Sequence, residues 1–185
     1  IAIGNKTKAN QTNAIAIGNG SAALGDRDVI IGTNTIGPAD GLSSSAAVGI
    51  GSNIQFDATS KTGRIEAVAV GEGVKVQDYG TGLGAQAVAA INSTAVGTYA
   101  KANGVGSMAL GSGNNSTGKN PTVAAAKDSI AIGNNAQTAV GAIGSIALGV
   151  NATATVSNSV ALGFASTTTA ANATNITGTA GQVAV

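Results

Sequence analysis

The sequence predicts an all-β fold, a parallel β-solenoid of short coils repeating about every 14 residues. Three observations carry this. A Gly-terminated motif returns along the chain, apolar residues within it alternate with period two, and the apolar residues are small. The 185 residues include 28 Gly but only two Tyr, two Phe, one Met and no Trp. An ordinary core of this size uses aromatics to fill irregular space. Small aliphatic side chains suit a thin core of identical layers.

The repeat is clearest in Ser129-Ile130-Ala131-Ile132-Gly133-Asn134-Asn135-Ala136. It returns as Ser145-Ile146-Ala147-Leu148-Gly149-Val150-Asn151-Ala152 and Ser159-Val160-Ala161-Leu162-Gly163, and as runs ending at Gly111 and Gly97. Weaker copies end at Gly4, Gly18, Gly25, Gly32, Gly51, Gly71 and Gly84, with Gly25 reading as a half-repeat. The intervals Gly32–Gly51, Gly51–Gly71 and Gly111–Gly133 are longer, so each holds an insertion.

Ile130 and Ile132 share one face of a strand and Ala131 takes the other. Ile132, at a position that recurs as Leu148, Leu162, Leu110 and Val96, is expected to be buried in every chain. Gly97, Gly111, Gly133, Gly149 and Gly163, with Ile130 and Ile132, are the structural anchors of the repeat. Each Gly supplies a turn conformation that other residues resist. A second short alternation, such as Ala100-Lys101-Ala102, closes each coil. About eleven coils stacked in parallel make a rod of roughly 50 Å. Gly recurs too often for any helix to run ten residues, and a sandwich calls for longer strands and aromatics.

Both faces of the strand are apolar, so both require burial. One fills the coil and the other needs a partner, which predicts self-association along the rod. The pattern accommodates two or three copies; small residues at the seam suit three.

Net charge is +1, from nine basic and eight acidic residues, and no charged residue follows Asp128. This is no footprint for nucleic acid. Absence of Cys and His removes disulfides and the commonest metal ligands, and no cofactor is expected. No apolar run approaches the ~20 residues of a membrane helix. The chain opens inside a repeat, at Ile1-Ala2-Ile3-Gly4, and reads as a fragment of a longer protein.

The Ser-Val/Ile-Ala-Ile/Leu-Gly-x-x-Ala/Ser motif at this spacing resembles the YadA-like head repeats of trimeric autotransporter adhesins. The resemblance implies a left-handed parallel β-roll assembled as a parallel homotrimer. It implies display at the cell surface of a Gram-negative bacterium, on a stalk with a C-terminal outer-membrane anchor absent from this sequence. It implies a virulence-associated adhesin that binds host extracellular matrix or cell surfaces. On this reading 1–171 are head repeats, with insertions near 35–45, 55–66 and 112–128. Residues 172–185 are a last coil or a connector towards a neck and stalk.

Site-like motifs read as ordinary structure. Gly113-Asn114-Asn115-Ser116-Thr117-Gly118-Lys119-Asn120 nearly spells a P-loop, but Asn120 and Pro121 replace the hydroxyl and the helix start. Gly82-Leu83-Gly84-Ala85-Gln86-Ala87 fits a loose dinucleotide fingerprint yet sits in register with the repeats. Asp26 and Asp28 are placed at a turn, as solvated or cross-chain ion pairs rather than a glycosidase pair. No enzymatic activity is expected. The insertions are the candidates for ligand contact, through Phe56, Asp57, Lys61, Arg64, Lys119 and Lys127, because loops on rigid scaffolds often carry binding. The competing reading is a structural spacer of the same fibre with no ligand of its own.

Overall fold

Each repeat contributes two short strands, and the computed structural model sets them in two parallel ladders; it describes residues 1–38, 46–57, 66–113 and 120–169. The first sheet has eleven strands: Ala2–Ile3, Ile15–Ile17, Val29–Thr33, Val48–Ser52, Val68–Val70, Thr81–Leu83, Thr94–Val96, Met108–Leu110, Ile130–Ile132, Ile146–Leu148 and Val160–Leu162. All neighbours run parallel, one coil apart, so that Ala131 lies opposite Ala109 and Ala147, and Ile132 opposite Leu110 and Leu148. Two-residue strands such as Lys75–Val76, Val88–Ala89 and Lys101–Ala102 form the opposite wall, an eight-stranded sheet. At its N-terminal end Ile36 bridges Gln55 to Ala22, which continues the ladder into the pair Lys8–Ala9 and Ala22–Ala23. Among the described residues there is no helix. The fold is a β-roll solenoid.

The interior belongs to alanine. Ala16, Ala69, Ala95, Ala109, Ala131 and Ala147 from the first wall face Ala89, Ala102, Ala124 and Ala154 from the second, all essentially inaccessible to water. Two walls this close leave room for little more than methyl groups. Ile132 is therefore only half-buried within its own chain, and Ala131 is the deeper position. This corrects the expectation for Ile132. Where an interior side chain is larger, a neighbour shrinks. Ile30 and Phe56 meet at Gly49, where an added Cβ would lie 3.1 and 3.0 Å from them. Val74 and Val76 likewise crowd Gly82, at 2.6 and 2.9 Å.

The two edges of the roll differ. The first edge, from first sheet to second, is almost everywhere a four-residue turn opened by Gly, as at 97–100 and 133–136. At Gly97 φ is 122°, and a Cβ would sit 2.1 Å from the Gly111 carbonyl oxygen of the next coil. Only Gly permits both the conformation and the approach. The third residue of these turns is left-handed, with φ of 51–62° at Lys6, Asn34, Asn53, Gln86, Tyr99, Asn135, Asn151 and Ala165. Asn tolerates this better than most residues, which accounts for its frequency there. The second edge, from second sheet to the first sheet of the next coil, varies widely in length.

Candidate functional site

The outward face of the first sheet carries two columns of residues along the whole solenoid, apolar except at Thr81 and Thr94 of the first. One runs Ile15, Val29, Val48, Val68, Thr81, Thr94, Met108, Ile130, Ile146 and Val160. The other begins at Ile3 and passes through Ile50, Leu83, Leu110, Ile132 and Leu148 to Leu162. Alternation compels this: with alanines turned inward, the larger Ile, Val and Leu must turn out. In the single chain they are half-buried or exposed, Leu148 by 39%. A continuous apolar strip of this length marks an association surface.

The insertions leave from different edges. The segments 39–45 and 58–65 lie outside the described residues, but their roots are fixed. Both depart from the second edge in successive coils, the first between Ile36 and Val48 and the second between Phe56 and Val68. The third, 114–119, departs from the first edge between Leu110 and Val123. The ladder also reclaims residues that the sequence assigned to insertions. Thr35 is buried and Ile36 is a rung; Gln55–Phe56 is a strand; Val123–Ala124 is a strand, and 125–129 is a turn of ordinary length.

The candidate contact residues are correspondingly scattered. Phe56 packs half-buried against the core and is no projecting loop residue. Asp57 is exposed at the root of the second insertion, beside a shallow groove lined by Lys75, Gln77, Val88 and Asn103. Lys127 is exposed several coils away, with its ammonium 3.0 Å from Asp128. A solvated pair of this kind contributes little to stability. Lys61, Arg64 and Lys119 lie outside the described residues. Gly113 and Asn120 of the P-loop-like run flank a cleft lined by Ser112, Asn134, Asn135 and Asn151, and the next element is the strand Val123–Ala124 rather than a helix. Within that cleft the Asn135 amide donates to Asn151 Oδ1 at 2.8 Å, and Gln137 donates to Asn135 Oδ1 at 2.7 Å.

Asp28 is fully buried, which corrects its reading as a solvated turn residue. It fills the slot held elsewhere by the Ser of the motif. Ser129 and Ser145 there donate to the carbonyls of Ala126 and Ala142, at 2.8 and 2.7 Å. The carboxylate instead accepts from Gly25 N at 2.9 Å and Ala47 N at 3.0 Å. Ala47 is where the first insertion rejoins the ladder, so Asp28 pins the root of that insertion to the preceding coil. The sequence signal was the alignment of Asp28-Val29-Ile30-Ile31-Gly32 with the Ser-led motif.

The sequence profile of the YadA head domain repeat matches residues 1–29, 89–114, 122–136, 141–166 and 157–174, more than half of the chain. The chain belongs to the YadA head family. Its kind is the adhesin head of trimeric autotransporters. No curated protein matches the chain. The profile skips 30–88, the stretch containing the first two insertions, although the first ladder of this YadA head continues through it without a missing rung. Within that stretch Gly49 and Gly82 stand in the inward alanine position beside larger neighbours.

Proposed function

We propose that three copies of this chain form a left-handed parallel homotrimer with their first sheets facing a common axis, and that this trimer is the head of a surface-displayed adhesin. The observation that carries the reading is the pair of apolar columns on a face that a single chain leaves in water. Membership in the YadA head family supports three as the number. The regular coils form a stiff scaffold, and the insertions at its edges meet host cells or extracellular matrix. In the complete protein the head stands outside the outer membrane of a Gram-negative cell, to which the fibre is anchored. The chain carries binding and no catalysis.

The test is a binding screen of the trimeric head against matrix proteins and host-cell surfaces, with variants in which each insertion is replaced by a turn of ordinary length. Binding that falls in a variant whose melting is unchanged supports attachment through that insertion. A correctly assembled trimer that binds none of the panel, with or without insertions, favours the spacer reading.

A further inference from the structure

Near the C-terminal end of the described solenoid both edges carry exposed apolar residues within about one coil of each other. On the first edge, the residue after the turn Gly extends the outward face of the first sheet by one position. Earlier coils place polar residues there, such as Glu72, Thr98, Ser112 and Asn134, or in one coil the small Ala85. The last two place Val150, 44% exposed, and Phe164, 78% exposed. On the second edge, the turn 139–145 is two residues longer than its neighbours 125–129 and 155–159. It closes on itself through Ala142 N to Ala139 O at 2.9 Å and Ser145 Oγ to Ala142 O at 2.7 Å. Those bonds hold Val140 and Ile143 out from the coil, 80% and 50% exposed.

We propose that Val140 and Ile143 of one protomer pack against Val150 and Phe164 of the next, as an apolar clasp that locks neighbouring protomers together. The clasp rests on the trimeric assembly proposed for the head. In a closed ring of parallel copies every interface is heterologous, so the second edge of one copy meets the first edge of its neighbour. Rotation about the axis involves no translation, so features at equal height face each other. The turn 139–145 joins the coil of Ile130–Ile132 to that of Ile146–Leu148. Val150 follows in the latter coil and Phe164 one coil further, about 5 Å along the rod. The two apolar knobs thus lie level with Val150 and within about one coil of Phe164. A second copy is the occupant because only a ring brings these opposite edges together.

The chain has no Cys, which allows a direct test. The paired variants Val140→Cys/Val150→Cys and Val140→Cys/Phe164→Cys, and each single variant, are treated with a short bifunctional thiol cross-linker and run on denaturing gels. Sedimentation of the untreated variants is measured in parallel. The clasp predicts that most of at least one paired variant becomes covalent trimer, while single variants give no covalent species because identical positions lie apart around the ring. Intact trimers that yield no inter-chain product in either pair, or only cross-links within one chain, overturn the clasp and leave the trimer standing. A chain that sediments as a monomer before any substitution overturns the clasp and the trimer together.

Discussion

In the strand Ile130–Ile132, Ala131 is inaccessible within its own chain while Ile132 is not. The two positions therefore fail differently. Ala131→Leu overfills a coil with space for a methyl group, which costs about 1–3 kcal/mol per chain. Its melting temperature should fall. Ile132→Asp leaves the coil interior alone but sets a charge on the association face, where burial without a partner costs several kcal/mol. It should shift sedimentation towards single chains. If Ile132→Asp keeps the parent mass, that face is not a seam. Glycines divide in the same way. Gly97→Ala meets a carbonyl of the next coil and is strained at positive φ, so a loss of at least about 1–3 kcal/mol is expected in a denaturant melt. Gly141→Ala meets nothing within 4 Å and should leave the midpoint nearly unchanged. The alternation of the motif was legible in the sequence; which face turned inward was not. Both faces are apolar, and only the narrow gap between the walls decides that the smaller residue goes in.

The strand Gln55–Phe56 marks the limit of what spacing alone reveals about elements. The long Gly51–Gly71 interval pointed to extra chain, yet it could not say where the ladder stopped. Second-sheet strands are two residues long and as varied as Gln55–Phe56, Lys75–Val76 and Gln137–Thr138, so they lack a motif. Replacing the segment between Asp57 and Glu66 by a four- or five-residue turn should hold stability within about 0.5 kcal/mol. Extending the deletion through Gln55 and Phe56 removes a rung and a core aromatic, and calorimetry should then register a loss of a few kcal/mol. Asp28 was hidden for a related reason: a carboxylate beside Arg27 looks like a solvated turn until its register with the Ser positions is noticed. Asp28→Ala removes the acceptor for two buried N–H groups, at about 1–3 kcal/mol each. Hydrogen exchange at Ala47 should accelerate, and less so in Asp28→Asn, which keeps one oxygen. Equal exchange in all three proteins would mean that Asp28 does not hold the insertion root.

For the whole molecule, stability accumulates between neighbouring coils and, in the proposed trimer, between neighbouring chains across the apolar face. The repeat made the solenoid and its eleven rungs predictable from sequence. The proposed assembly follows from a property of the folded coil, whose interior is too small for most of its Ile, Val and Leu residues. Sedimentation equilibrium of the purified chain at micromolar concentration tests this most directly. The predicted result is one species of three times the 17.5 kDa chain mass. A folded, soluble species of 17.5 kDa would contradict it, because the two apolar columns would then stand in water without a partner.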